Sequence, residues 1–323
     1  DGTFRERTAE LGLAGESHYG MAAVAGDYDD DGWPDIFVAD DSTPNKLFHN
    51  LGGNGFEDVA LMAGVAYSGE GVTQGCMGAA MADYDNDGLT DIFTTNFADE
   101  YNTLYKNEGG GFFADVSHFS QIASSDSRYV AWGTGFFDYD NDGDRDLFVA
   151  NGHTYPQADQ PALSSSYEER NQLYENDGGI FAEVTAAAGP GLALMGVSRG
   201  TSFADYDADG DLDVFVLELN APPRLLRNDG DRRNNWLLVE TVGTASNRDG
   251  IGTRIALSAG GARQWAEVRA GGSYLGGDDR RVHFGLGPAD RVERLELRWP
   301  SGAVQVLENV AVNQVLRVEE PEE

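Results

Sequence analysis

What this 323-residue chain has little of narrows its class before any motif is read. It has one cysteine, Cys76, which excludes an intrachain disulfide and a Cys-rich zinc site and reads as a buried structural thiol. Only 22 basic residues stand against 55 acidic ones, giving a formal charge of −33 at pH 7. A surface this anionic repels nucleic-acid phosphates and acidic lipid headgroups, which argues against both as partners and leaves cations as the natural counterpart. No apolar run reaches the roughly 20 residues that a membrane-spanning helix needs, so no membrane insertion is expected. No secretory leader is visible, and because the chain opens Asp1-Gly2-Thr3-Phe4 without Met, a removed leader stays open. The five histidines, at 18, 49, 118, 153 and 283, show no metal-ligand spacing; His49 and His283 read as structural hydrogen-bonders. A phosphate-binding glycine loop and a basic aromatic stripe are also missing.

What is present is glycine, 42 residues of it, punctuating short runs of Val, Ile, Phe and Leu, a pattern of many short strands and turns. A hydrophobic content of 41% is enough for a packed core. The charge is uneven, with 40 acidic and 10 basic residues in 1–228 against 15 and 12 in 229–323. Of those 40, 19 fall in four nine-residue segments of the pattern Asp-x-Asp-x-Asp-Gly-x-x-Asp, starting at Asp27, Asp83, Asp138 and Asp205. A merely solvated surface does not concentrate carboxylates in this way. Ca²⁺ takes six to eight hard oxygen ligands, which carboxylates at positions 1, 3, 5 and 9 and a carbonyl at position 7 of a tight turn can largely supply. Gly at position 6 permits a turn that a Cβ would block. An EF-hand would need a bidentate Glu at position 12, where this chain has Val38, Thr94, Val149 and Val216. Calcium also accounts for the close Asp pairs that would otherwise suggest glycosidase carboxylates, and would hold their pKa values low.

Two more signatures recur with the loops. One is a Phe-containing strand: Gly2-Thr3-Phe4, Gly55-Phe56-Glu57-Asp58-Val59, Phe112-Phe113-Ala114-Asp115-Val116 and Ile180-Phe181-Ala182-Glu183-Val184. The other is Asn45-Lys46-Leu47-Phe48-His49-Asn50, Asn102-Thr103-Leu104-Tyr105-Lys106-Asn107 and Asn171-Gln172-Leu173-Tyr174-Glu175-Asn176, with a degraded copy at 223–228. Loop starts lie 56, 55 and 67 residues apart. A unit of about 55 residues with four short strands is the size of a propeller blade, which buries its faces only by stacking on others. The small residues before each loop, as in Gly133-Thr134-Gly135, suit a crowded inner strand.

Over residues 1–228 these features resemble the FG-GAP repeats of integrin α-subunit propellers and related bacterial proteins. The resemblance implies a Ca²⁺ in the loop between adjacent strands of each blade, about four ions in all. It implies as side-chain ligands Asp27, Asp29, Asp31 and Asp35; Asp83, Asp85, Asp87 and Asp91; Asp138, Asp140, Asp142 and Asp146; and Asp205, Asp207, Asp209 and Asp213. Trp33, Leu89, Asp144 and Asp211 would contribute carbonyls from position 7. Integrin-like propellers have seven blades, and four loops occur here. Three readings stay open: upstream blades were cleaved or left out, four units close differently, or another chain completes an open edge. The extra length between the third and fourth loops falls at 152–169, where Pro156, Pro161 and Ser164-Ser165-Ser166 indicate an exposed excursion, either a partner-binding loop or a passive insertion.

From Asp229 longer alternating strands replace the repeat, at 236–242, 252–259, 263–270, 281–285, 291–299 and 315–319, with one buried and one wet face. This predicts a compact β-sandwich. Gly243-Thr244-Ala245-Ser246-Asn247-Arg248-Asp249-Gly250-Ile251-Gly252, Val282-His283-Phe284-Gly285-Leu286-Gly287 and Arg298-Trp299-Pro300-Ser301-Gly302 resemble the ASPIC/UnbV domain, which commonly follows FG-GAP repeats and implies no established chemistry. Gly196-Val197-Ser198-Arg199-Gly200 fits a nucleophile elbow, but the repeat register puts it on the strand entering the fourth loop and not between strand and helix.

The expectation is an all-β chain of FG-GAP-type propeller blades (1–228) followed by a small β-sandwich (229–323). In function it reads as a non-enzymatic, secreted calcium-binding scaffold or adhesion protein of the cell surface or matrix, for whose self-assembly the truncated repeat edge and the second β domain each offer a surface. Export follows from calcium, since extracellular modules bind at roughly 10⁻⁴ to 10⁻³ M while cytosolic Ca²⁺ is far scarcer. The alternatives are a module binding a glycan or protein ligand, and an accessory domain of a larger secreted enzyme.

Overall fold

The computed structural model describes residues 2–15, 17–124, 127–160, 165–230 and 233–322. Each loop-bearing repeat folds into one antiparallel sheet. The first comprises β1 (Gly20–Gly26), β2 (Asp35–Asp40), β3 (Lys46–Asn50) and β4 (Phe56–Asp58), in that order. The second is β5 (Ala79–Ala82), β6 (Asp91–Thr94), β7 (Thr103–Gly109) and β8 (Phe112–Asp115). In the third, β9 (Ala131–Phe137) and β10 (Asp146–Asn151) pair with β12 (Gln172–Asp177) and β13 (Ile180–Glu183), while short β11 (Glu169–Arg170) and β14 (Met195–Gly196) pair with each other. The fourth has three strands, β15 (Ser198–Ala204), β16 (Asp213–Glu218) and β17 (Arg224–Leu226). In every sheet the acidic loop joins the first strand to the second.

The first strands β1, β5, β9 and β15 neighbour one another in sequence order, and the sheets are not closed into a ring. Their small residues answer to close approach: a Cβ on Gly133 would run into the Arg199 carbonyl of the next blade. Between blades the second and third strands interdigitate. Phe37 and Leu47 of the first pack with Ile92 and Tyr105 of the second, Phe93 and Leu104 with Leu147 and Tyr174, and Phe148 and Leu173 with Val214 and Val216. A blade is thus apolar on both faces because each faces a neighbour.

The C-terminal region is a sandwich of two sheets. One contains β18 (Asn235–Val242), flanked by β21 (Val282–Gly287) and, in parallel, β24 (Gln314–Glu319). The other orders β20 (Ala262–Glu267), β19 (Arg254–Ala259), β22 (Arg291–Arg298) and β23 (Val304–Ala311). Leu237, Ile255, Leu257, Phe284, Leu295 and Trp299 fill the space between them.

The strand expected at 263–270 ends at Glu267, because the chain leaves the sandwich there to run along the inner strands of the arc. Ser273 exchanges backbone hydrogen bonds with Ala79 at 2.8 and 3.4 Å. Its Oγ accepts from the Thr134 N–H at 3.0 Å and pairs with Thr201 Oγ1 at 2.7 Å. Tyr274 meets Trp132 edge to face, and Asp278 Oδ1 accepts from the Phe203 N–H at 3.0 Å. One segment of the second domain therefore touches the innermost strands of three blades, the place that further blades would have been expected to enclose.

Other expectations also change. Gly2-Thr3-Phe4 forms no strand, and Phe4 is fully exposed with no sheet to join. Strand β23 went unread because Asn309, at φ 55°, breaks its alternation. The excursion at 152–169 is anchored, since His153, Ala158 and Glu169 are buried and Glu169 Oε2 accepts from the Val130 N–H at 2.9 Å. Pro161 and Ser164 lie outside the described residues.

One buried charge holds the end of the sandwich. Glu320 Oε2 accepts from the backbone N–H groups of Thr244, Ala245 and Ser246 at 2.8, 2.9 and 2.7 Å. Its Oε1 accepts from the Ser246 and Ser301 hydroxyls at 2.8 and 2.5 Å. Burial alone would raise the Glu320 carboxyl, but these donors outweigh it and bring the pKa down to about 2. A depressed acid stabilises the fold above its ordinary pKa and loses that contribution as pH falls toward the folded value. Glu320→Gln is expected to cost about 2 kcal/mol at pH 7. In urea denaturation the gap from wild type should narrow markedly by pH 3; a gap independent of pH would contradict this role.

Candidate metal centres

The four loops share one backbone plan. The position-1 carboxylate accepts from the N–H groups of positions 5 and 6, as Asp83 does from Asp87 at 3.0 Å and Gly88 at 2.9 Å. The position-5 carboxylate accepts from the N–H of position 7, as Asp31 from Trp33 at 2.8 Å and Asp87 from Leu89 at 2.9 Å. Position 6 is glycine with φ of 88, 92, 102 and 96°, in accord with its expected role. Position 4 also takes positive φ, at Asp30, Asn86, Asn141 and Ala208; the two asparagines, which tolerate that region, were the unread signal.

Position 9 carries the inter-blade connection. Its Oδ1 accepts from the N–H of the Asn that ends β3 or its equivalent: Asp35 from Asn50 at 2.8 Å, Asp91 from Asn107 at 2.8 Å, Asp146 from Asn176 at 2.9 Å and Asp213 from Asn228 at 2.8 Å. The side chain of that Asn donates to the position-2 carbonyl of the preceding loop: Asn107 to Tyr28 at 2.9 Å, Asn176 to Tyr84 at 2.8 Å and Asn228 to Tyr139 at 2.6 Å. The third signature is thus a staple from loop to loop.

The structure gathers positions 1, 3 and 9 in three loops, with carboxylate oxygens within 4.8 Å of one another: Asp83, Asp85 and Asp91; Asp138, Asp140 and Asp146; Asp205, Asp207 and Asp213. In the first loop Asp27, Asp29 and Asp31 form one such group and Asp29, Asp35 and His49 another. Asp87, Asp142 and Asp209 fall outside these groups. Asp144 and Asp211 turn their side chains to the preceding loop, accepting from Asn86 at 3.2 Å and Asn141 at 2.7 Å. His49 Nδ1 has no hydrogen-bond partner among the described residues; it faces Asp35 at 3.3 Å and Asp29 at 3.4 Å. Lys106, at the same repeat position in the second blade, reaches Asp85 and, at 2.9 Å, Asp87.

Hard oxygens in threes, with Asp85 Oδ1 buried and lacking a hydrogen-bond partner among the described residues, fit a hard divalent cation. Without one, burial pushes these carboxyls up, to about 7 at Asp35 and Asp83 and about 8 at Asp91 and Asp138. Backbone donors oppose that rise without overcoming it. A dication among them would reverse the sign.

The sandwich rests on all four loops. Arg254 pairs with Asp30 and donates to the Gly88 carbonyl at 2.5 Å. The Gly287 N–H donates to Asn141 O at 2.8 Å, and Arg281 to Asp205 O at 3.0 Å. His283 Nε2 donates to Gly210 O at 3.1 Å, as a structural hydrogen-bonder should, and Trp236 lies where a Cβ on Gly210 would go.

The FG-GAP-like repeat pattern matches residues 27–94, 83–149 and 138–216, in step with the acidic loops. The chain belongs to the FG-GAP-like repeat family. Residues 243–323 match the ASPIC and UnbV domain. Cartilage acidic protein 1 of Homo sapiens is 29% identical over 300 residues, which cover 88% of this chain and 42% of that protein. The Xenopus tropicalis protein of the same name is 28% identical over 326 residues, covering 98% and 47%. The chain therefore spans less than half the length of these relatives. An Agrocybe aegerita lectin, described as recognising non-reducing terminal N-acetylglucosamine, is similar at a TM-score of 0.40 and 16% identity, covering 93% of this chain and 83% of its own. That likeness is too loose to carry an argument. FG-GAP-like repeats and propeller blades are what the sequence predicted.

Asn107 is the clearest point at which to cut this wiring, because its side chain donates to both Tyr28 O and Thr90 O, at 2.9 and 3.0 Å. Asn107→Ala leaves two buried carbonyls without a partner and is expected to destabilise by about 2–4 kcal/mol. Chemical denaturation should show it; a cost below about 0.5 kcal/mol, usual for a surface substitution, would contradict the staple.

Proposed function

We propose that the chain is a non-enzymatic extracellular scaffold whose acidic loops hold about four Ca²⁺ ions. The observation that carries this reading is the clustering of acidic groups at all four loops, three of them as position-1, -3 and -9 carboxylates and the first as Asp27, Asp29 and Asp31 beside Asp29, Asp35 and His49, with Asn side chains joining successive loops and the sandwich resting on them. A cation there ties the first, second and third strands of a blade together and stiffens the surface on which the second domain rests. Relatives named for cartilage and the charge of −33 support an extracellular, matrix-type setting. Ser198 supports no catalytic reading: it is buried at the start of β15, no helix follows, and its hydroxyl donates to Glu218 at 3.0 Å.

The test is melting of metal-free protein with and without CaCl2. Saturating Ca²⁺ at about 100 times Kd should add about 2.7 kcal/mol per site and raise Tm. The gain should grow from pH 5 to pH 8. Carboxyls raised to about 7–8 in the cation-free fold stabilise it at low pH and lose that contribution as pH rises through those values, where the ligand oxygens become free to bind. A Tm unchanged by Ca²⁺ at pH 8 would sink the proposal, and bound calcium near four per chain would complete it.

A further inference from the structure

The third-strand signature ends on an Asn whose N–H is held by the position-9 carboxylate of its own loop, at 2.8 Å for Asn107 and 2.9 Å for Asn176. That bond fixes the residue just before the Asn beside the same loop. The repeat builds this place four times and fills it with four unlike side chains: His49, Lys106, Glu175 and Arg227.

Lys106 is the strongest case. Its ammonium, over the Tyr84 ring at 5.9 Å from the centroid, bonds Asp85 and lies 2.9 Å from Asp87, so a tethered monocation already stands among the oxygens of the second loop. Asp85 is one of the three carboxylates which that loop gathers. Glu175 is the reverse. It brings a further carboxylate to the third loop, where the hydroxyl of Tyr139, at position 2, donates to its Oε2 at 3.1 Å. Its charge is felt by the loop: burial first, then Asp140, Asp144 and Glu175, push the Asp142 carboxyl up against the opposing Asp144 N–H. Arg227 is divided between Asp229, with which it pairs, and Asp207 of the fourth loop at 3.6 Å. His49 turns Nδ1 to Asp29 and Asp35 and brings no fixed charge.

We propose that this one side chain sets how tightly each loop holds its cation, the third loop with Glu175 being the tightest and the second with Lys106 the weakest. This rests on the calcium reading: sites that share one backbone plan are graded by a charge supplied from outside the nine-residue loop. A dication entering the second loop must displace the ammonium or sit beside it, whereas in the third it meets one more anion. Calcium affinity follows the charge count of its surroundings. Even at the screening of bulk water, a unit charge about 5 Å from a dication shifts affinity roughly tenfold.

The experiment is calorimetric titration of the chelator-stripped full chain with CaCl2, with bound calcium counted by equilibrium dialysis. Wild type should fill its sites in unequal steps. Lys106→Gln should tighten the weakest step roughly tenfold and leave the others in place, and Glu175→Gln should weaken the tightest step by a similar factor. Lys106→Arg, which keeps the charge, should stay close to wild type. Each variant is checked for wild-type near-ultraviolet circular dichroism in saturating calcium; should one fail, Lys106→Met or Glu175→Ala takes its place. A wild type that binds no calcium sinks the calcium reading and the grading with it. Calcium binding that is the same in wild type, Lys106→Gln and Glu175→Gln overturns the grading alone. So does weaker binding in Lys106→Gln, which would make Lys106 a positioning residue for the carboxylates.

Discussion

The structure depends on a carboxylate that has left water. Asp91 and its equivalents close each acidic loop at position 9, fully or nearly fully buried, and accept one N–H from their own loop and another from the third strand. Desolvation of a carboxylate is costly, and those donors offset only part of the cost. The remainder is what gives the loops an appetite for positive charge. It also explains why the Asn supplying the third-strand N–H recurs: the same residue fixes the carboxylate and reaches back to the previous blade, so local ion chemistry and long-range blade stacking share one side chain.

Much of this was legible in the sequence because the repeat is written in residues that do few other things. Asp-x-Asp-x-Asp-Gly placed every loop between the first and second strands, and the small residues before it marked the inner strands. The Asn-x-Leu-aromatic-x-Asn signature was visible as a repeat, but its purpose was not, since a staple to the preceding loop is a relation between positions almost 80 residues apart. His49 illustrates a different limit. Its ring faces two carboxylates in one blade, where the others carry Lys106, Glu175 and Arg227, and nothing in the spacing of five histidines shows that. The ligand set from the resemblance is gathered at positions 1, 3 and 9 in three loops, while position 5 caps a turn and the position-7 side chains of Asp144 and Asp211 face the neighbouring loop.

The division of charge also takes on a structural meaning. The repeats hold the acid and the sandwich is nearly neutral, yet the arginines of the sandwich reach the backbone carbonyls that ring the loops: Arg254 at Gly88, Arg269 at Met81 and Arg281 at Asp205. A guanidinium spends its donors well on carbonyl oxygens, since several diverge from one plane. The second domain is in this sense a cap on the acidic surface, complementary to it in sign and in hydrogen bonding.

The segment that leaves the sandwich after Glu267 sets an order on how the molecule is made. Its contacts with the inner strands reach across the sequence from Ser273 to Ala79 and, over 188 residues, from Arg269 to Met81, and the partners on β5 and β9 emerge from the ribosome long before it does. Contacts of such separation slow folding, because the loop-closure entropy must be met before they form. The blades can stack as they are synthesised, but the inner edge of the arc stays unlined until the last third of the chain has appeared, so completion of the repeats is timed by a domain that contains none of them.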